Sequence, residues 1–177
     1  MIRIKTLLTG AMALVAALMA LSAPGAANAQ GARPEGQADI VRGWNLRLGM
    51  FIFNNKAARD KSGSIGISGL AERTVYETEK YEINVGAGYN GFGNVYSVPI
   101  TVTGIMHHGN IRYGGAFGYA FGKRVSGRGM SGILLGLLGG YQLTPGVEGI
   151  NADIRYNFIS GADSELDGFS ITLGKRF

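Results

Sequence analysis

From Gly43 to the last residue, large apolar side chains recur at every second position rather than at helical spacing. A period of two puts one greasy and one wet face on a β-strand. The final stretch shows it plainly: Phe169, Ile171, Leu173 and Phe177 share one parity, and Gly168, Ser170, Thr172, Gly174 and Arg176 the other, with Lys175 breaking the apolar side. Ile150, Ala152, Ile154, Tyr156 and Phe158 alternate likewise with Asn151, Asp153, Arg155 and Asn157. The same pattern runs through Tyr81 to Asn90, Tyr96 to Thr103 and Ile111 to Gly122.

Three segments are less regular. In Gly43 to Asn54 the set Trp44, Leu46, Leu48, Met50, Ile52 alternates with Asn45, Arg47 and Gly49, but Phe51 and Phe53 make both parities apolar at its far end. In Ile133 to Leu143, Leu134 and Leu138 fall among the small residues. In Ser64 to Tyr76, Arg73 shares a parity with Ile65, Ile67 and Val75; a bulge near Gly69, or a strand running beyond the membrane, reconciles it. Pro99 has no ladder donor and marks a bulge or weakened pairing.

Eight strands of roughly ten or more residues result, the length that crosses a hydrocarbon layer when tilted. Charged or polar connections at Asn54 to Gly63, Lys123 to Met130 and Ser160 to Glu165 alternate with short ones at Glu77 to Lys80, His107 to Asn110 and Thr144 to Val147; only Gly91 to Asn94 is short where a long one is expected. After residue 29 no continuous apolar run reaches the ~18 residues of a membrane helix. A membrane-spanning form must therefore be a closed barrel, which leaves no backbone unpaired in lipid.

Composition favours that form. Only 16% of residues are charged and 30 are Gly, whereas a soluble domain carries about 25% charged residues. A soluble lipocalin-like carrier would alternate too, with its apolar side inward. Its outer face would be rich in Lys and Glu; here the polar face is Gly, Ala, Ser, Thr and Asn with isolated Arg47, Glu82, Arg112, Asp153, Arg155 and Arg176. Those six fit the interior of a narrow barrel as ion pairs, since Arg on the lipid face costs about 2–4 kcal/mol at mid-depth. Trp44, Tyr81, Tyr89, Tyr96, Tyr141 and Tyr156 lie near strand ends, as an interfacial girdle requires.

The strand ending in Phe177 resembles the closing strand of outer-membrane β-barrels of Gram-negative type, and the whole of residues 43–177 resembles the small eight-stranded members. The resemblance implies an all-β, antiparallel up-and-down transmembrane barrel, with Phe177 as the signal read by the barrel-assembly machinery. It also implies long outer loops, short periplasmic turns and a structural or surface-interaction role. Within this class some members are narrow pores and some are lipid A acyl hydrolases with a His-x-Ser-Asn stretch. Here the comparable stretch is His107-His108-Gly109-Asn110, which lacks the nucleophile, so no catalytic residue is assigned.

Residues 1–29 read as a cleaved signal peptide: Arg3 and Lys5, an apolar stretch from Leu7 to Leu21, then Ala27-Asn28-Ala29. Residues 30–42 are a polar lead-in. The absence of Cys excludes disulfides and thiolate sites. Of 17 Lys and Arg, the signal takes Arg3 and Lys5, leaving 15 against 12 Asp and Glu; with no basic run longer than two, a nucleic-acid partner is not expected. Adjacent His107 and His108 read as a solvated turn, and no metal or cofactor is expected. Lys123, Arg124 and Arg128 form a basic loop suited to anionic lipopolysaccharide phosphates, and a monomer is the expected state. Gly114, Gly118 and Gly122 lack the ending of a phosphate loop and read as space for large neighbours in the lumen.

Overall fold

A computed structural model describes residues 43–144 and 149–177; the stretches expected to be a signal peptide and a lead-in, and part of the Thr144 to Val147 turn, lie outside them. Eight strands, β1 (Trp44–Phe53), β2 (Ile65–Glu77), β3 (Tyr81–Phe92), β4 (Val95–His108), β5 (Ile111–Lys123), β6 (Gly129–Gln142), β7 (Ile150–Ile159) and β8 (Gly168–Arg176), form a closed antiparallel barrel in chain order. β1 closes on β8, with Asn45 opposite Arg176 and Phe53 opposite Gly168. Trp44 N–H donates to the Phe177 carbonyl at 3.1 Å and Phe177 N–H returns to Trp44 at 2.8 Å. One end, the terminal end, thus carries the start of β1, the end of β8 and the β2–β3, β4–β5 and β6–β7 connections; the other, the loop end, carries the β1–β2, β3–β4, β5–β6 and β7–β8 connections.

The apolar parity faces outward. Leu48 and Leu137 are 71% exposed, Leu173 61% and Phe117 60%. Such a continuous apolar belt is not tolerated against water and matches hydrocarbon. Trp44, Tyr81 and Tyr141 sit toward the terminal end, and Tyr89, Tyr96 and Tyr156 toward the loop end, so the aromatic residues form two girdles.

The irregular segments resolve physically. The register shift in β2 falls between Thr74 and Tyr76, not near Gly69; Arg73, on the outer parity beside Trp44, is therefore at the terminal rim rather than at mid-depth. At Pro99 there is no bulge: β3 and β4 keep one register, but no pairs form between Ala87↔Ile100 and Asn90↔Ser97. Leu134 and Leu138 are not misplaced; both are buried inside the barrel. Phe51 and Phe53 also point inward and pack edge to face at 5.1 Å.

The connections are shorter or more ordered than the composition implies. Strands β5 and β6 extend until only residues 124–128 separate them, and His107 and His108 belong to the end of β4. Gly93 and Asn94 alone turn β3 into β4, with Gly93 at φ +59°. The charged loop after β1 contains a helix, α1 (Lys56–Ser62), whose N-cap Asn55 accepts from the N–H groups of Ala57 at 2.8 Å and Ala58 at 3.3 Å. Asn55→Ala is expected to cost about 1 kcal/mol locally, read as faster amide exchange confined to α1.

Gly114, Gly118 and Gly122 have a different cause from the one their spacing implies. A Cβ on Gly118 would lie 2.0 Å from the Ile100 carbonyl oxygen, and one on Gly114 1.9 Å from that of Gly104. What fills the space is the backbone of β4, not a large side chain. Glycine on this face lets a coiled sheet close tightly.

Candidate functional site

The interior divides into two layers. Toward the terminal end, strands β1, β2, β3, β5 and β7 project three guanidiniums and three carboxylates into the barrel. Arg47 Nε donates to Asp153 Oδ2 at 2.7 Å, and Arg47 also pairs with Glu72. Arg155 grips Glu72 with both terminal nitrogens, each at 3.0 Å. Arg112 reaches both Asp153 oxygens at 3.4 Å and Glu82 at 3.5 Å. Thr103 Oγ1 donates to Glu72 at 2.9 Å, and Asn84 Nδ2 to Glu82 at 2.7 Å. All six ionic side chains are buried.

Burying six charges is tolerable only because each finds a partner; an unpaired one would carry a desolvation cost of several kcal/mol. Three positive and three negative groups leave the cluster formally neutral. At the terminal mouth Arg176 holds Glu77 with both terminal nitrogens. There too His107 Nε2 lies 3.1 Å from Glu82 Oε2. His107 is thus half-buried at the edge of the ionic cluster rather than part of a solvated turn, while His108 is exposed.

The structure places Arg47, Glu82, Arg112, Asp153, Arg155 and Arg176 inside the barrel, and adds two acids that sequence reasoning missed, Glu72 and Glu77. Glu72 is shared by Arg47, Arg155 and Thr103, yet it adjoins Arg73 in the segment whose parity was least regular. The signal was present: Ser68, Glu72 and Thr74 share the inward parity.

Toward the loop end the interior turns apolar. Phe51, Phe53, Val95, Ala120, Leu134 and Ile159 from the strands pack with Ala58 of α1 and with Ala162 and Leu166 of the loop before β8. Three connections are tied over this cluster. Arg124 pairs with Asp163 and Glu165, and Val125 N–H donates to Glu165 Oε2 at 2.8 Å. Asn54 N–H donates to the Asp167 carbonyl at 2.9 Å, and Asp167 Oδ1 accepts from Ile159 N–H at 2.8 Å. Burial pushes the Asp167 carboxyl up from its ordinary range, and that N–H pulls it partly back.

The basic loop is therefore not a free cationic trio. Arg124 lies on the inward side and its charge is compensated by Asp163 and Glu165. Lys123 shares the outward parity of Phe121 at the loop rim, and Arg128 is exposed. Between the two layers lies a cavity of about 20 Å³, bordered by Leu70, Asn90, Pro99, Thr101, Leu134 and Arg155. That is room for about one water molecule.

A closed eight-stranded barrel, apolar outside and ionic within, has the fold of the small outer-membrane β-barrels of Gram-negative bacteria. Among solved structures the chain is similar to Neisserial surface protein A (NspA), with a TM-score of 0.50 at 16% identity over 79% of this chain and 97% of that one. It also matches Ail, the attachment invasion locus protein of Yersinia pestis, solved with the heparin analogue sucrose octasulfate, with a TM-score of 0.45 at 16% identity over 77% and 99%. No family model and no curated protein matches the sequence.

Proposed function

We propose that the chain is a non-enzymatic integral outer-membrane barrel with a structural or surface-interaction role, its loop end outside and its termini in the periplasm. The observation that carries this reading is the blocked interior: the ionic cluster fills one layer, and the apolar cluster under α1 and residues 160–167 closes the next. A solute path would have to break both. Purified protein in planar bilayers is expected to show no unitary conductance steps; steady steps from the unaltered chain would replace this reading with a pore.

His107 supports no acyl hydrolase. It sits at the terminal end against Glu82, on the side away from the outer leaflet that holds lipid A. We propose removal of residues 1–29 on export, a monomeric barrel, and Phe177 as the element read by the assembly machinery. Deleting Phe177 is expected to lower the folded, heat-modifiable fraction in cells while leaving refolding into detergent micelles nearly unchanged. With Arg124 engaged, lipopolysaccharide contact falls to Lys123 and Arg128. Lys123→Glu with Arg128→Glu should weaken co-purification of lipopolysaccharide.

A further inference from the structure

The signs of the outer face are uneven. Among the described strand residues, the charged side chains on the outward parity are Arg73, Lys123 and Lys175, all cations and all at a rim. The strand carboxylates Glu72, Glu77, Glu82 and Asp153 are instead turned inward and held there by arginines or, for Glu82, also by His107. Two of the three cations flank one strand at the terminal end. Arg73 of β2 stands opposite Trp44 of β1, and Lys175 of β8 stands opposite Leu46 of β1. Neither has a carboxylate partner among the described residues. Lys175 Nζ lies 5.1 Å from the centroid of the Phe177 ring, which keeps it at the rim.

Two strand spacings separate these cations, about 10 Å across the sheet. Between them stand Trp44 and Leu46, an indole and an aliphatic side chain suited to the upper acyl region. Two positive charges over an aromatic and apolar floor, on a face from which the strand carboxylates are turned away, match the phosphates of neighbouring anionic headgroups. We propose that the outer face of β8, β1 and β2 at the terminal end is a binding surface for anionic glycerophospholipid in the leaflet at that end. The inference rests on the membrane-barrel reading above, and places a lipid preference on the leaflet opposite the loops.

Trp44 is the sole tryptophan of the chain, so it reports its own surroundings. The full chain without residues 1–29 is refolded into phosphatidylcholine vesicles containing a minority of either phosphatidylglycerol or phosphatidylcholine brominated on the acyl chain. Brominated phosphatidylglycerol is expected to quench Trp44 more strongly at equal fraction, with a local enrichment of about fivefold for each cation, the factor equivalent to about 1 kcal/mol per basic residue at an anionic surface. Raised salt should reduce the preference. Arg73→Gln with Lys175→Gln should abolish it, whereas Lys123→Gln, at the far rim, should leave it intact. Heat-modifiable gel mobility confirms that each variant is folded. Equal quenching by the two lipids in the inserted protein, or a preference unchanged in the double variant, overturns the proposal alone. A protein whose Trp44 emission stays aqueous and unquenched by either lipid overturns the membrane reading with it.

Discussion

Glu72→Gln will cost the folded barrel about 3–5 kcal/mol, the range for removing one partner of a buried ionic group. Glu72 accepts from Arg155 through both oxygens, from Thr103, and pairs with Arg47. The amide keeps the volume and one acceptor but withdraws the charge, so two buried guanidiniums lean on Asp153 and Glu82 alone. In urea titrations followed by heat-modifiable mobility, the midpoint should fall sharply. Arg155→Leu in the Glu72→Gln background should recover part of the loss, because it withdraws one of the stranded charges. Should Glu72→Gln unfold at the parental urea concentration, the ionic cluster contributes little to stability.

The second large effect is a single methyl group. Gly118→Ala places a Cβ 2.0 Å from the Ile100 carbonyl oxygen and 2.8 Å from the Thr101 Cα. Backbone cannot swing aside as a long side chain can, so β4 and β5 must separate. The expected loss is at least the about 1–3 kcal/mol of an overpacked core, accompanied by slower refolding. Gly139→Ala is the matched control: it faces outward with nothing within 4 Å of a Cβ, and strand propensity favours it by a fraction of a kcal/mol. Equal urea midpoints for the two variants would show that the sheet relaxes freely around position 118.

Strand count, order and facing were legible because lipid and lumen impose opposite demands on alternate residues, and that alternation survives in the text. Residues 150–158 and 167–177 carried it almost without exception. What was hidden depended on position along the barrel axis. Phe51, Phe53, Leu134 and Ile159 lie on the inward parity, and nothing in a dyad pattern says that the lumen changes from ionic to apolar toward the loop end. The β2 register was obscured because one extra residue between Thr74 and Tyr76 inverts the parity beyond it. Glu72 precedes that shift and keeps the inward parity of Ser68 and Thr74; the neighbouring Arg73 on the apolar parity masked it. The glycines were countable, but whether a neighbour's backbone or a side chain occupies the missing Cβ depends on sheet coiling, which no local spacing records. The loop pairings of Arg124 span about forty residues and have no local signature.

The six central ionic groups come from β1, β2, β3, β5 and β7, so the network reaches from the first hairpin nearly to the last. A partly wound sheet holding only β1 to β3 would already present Arg47, Glu72 and Glu82, with the Arg47–Glu72 pair alone available, while Arg112, Asp153 and Arg155 on β5 and β7 were still absent. Those early charges have to stay hydrated until the seventh strand arrives. Expulsion of water from the interior and closure of the ring are thereby made a single cooperative step, and an incomplete ring has no dry state in which to rest.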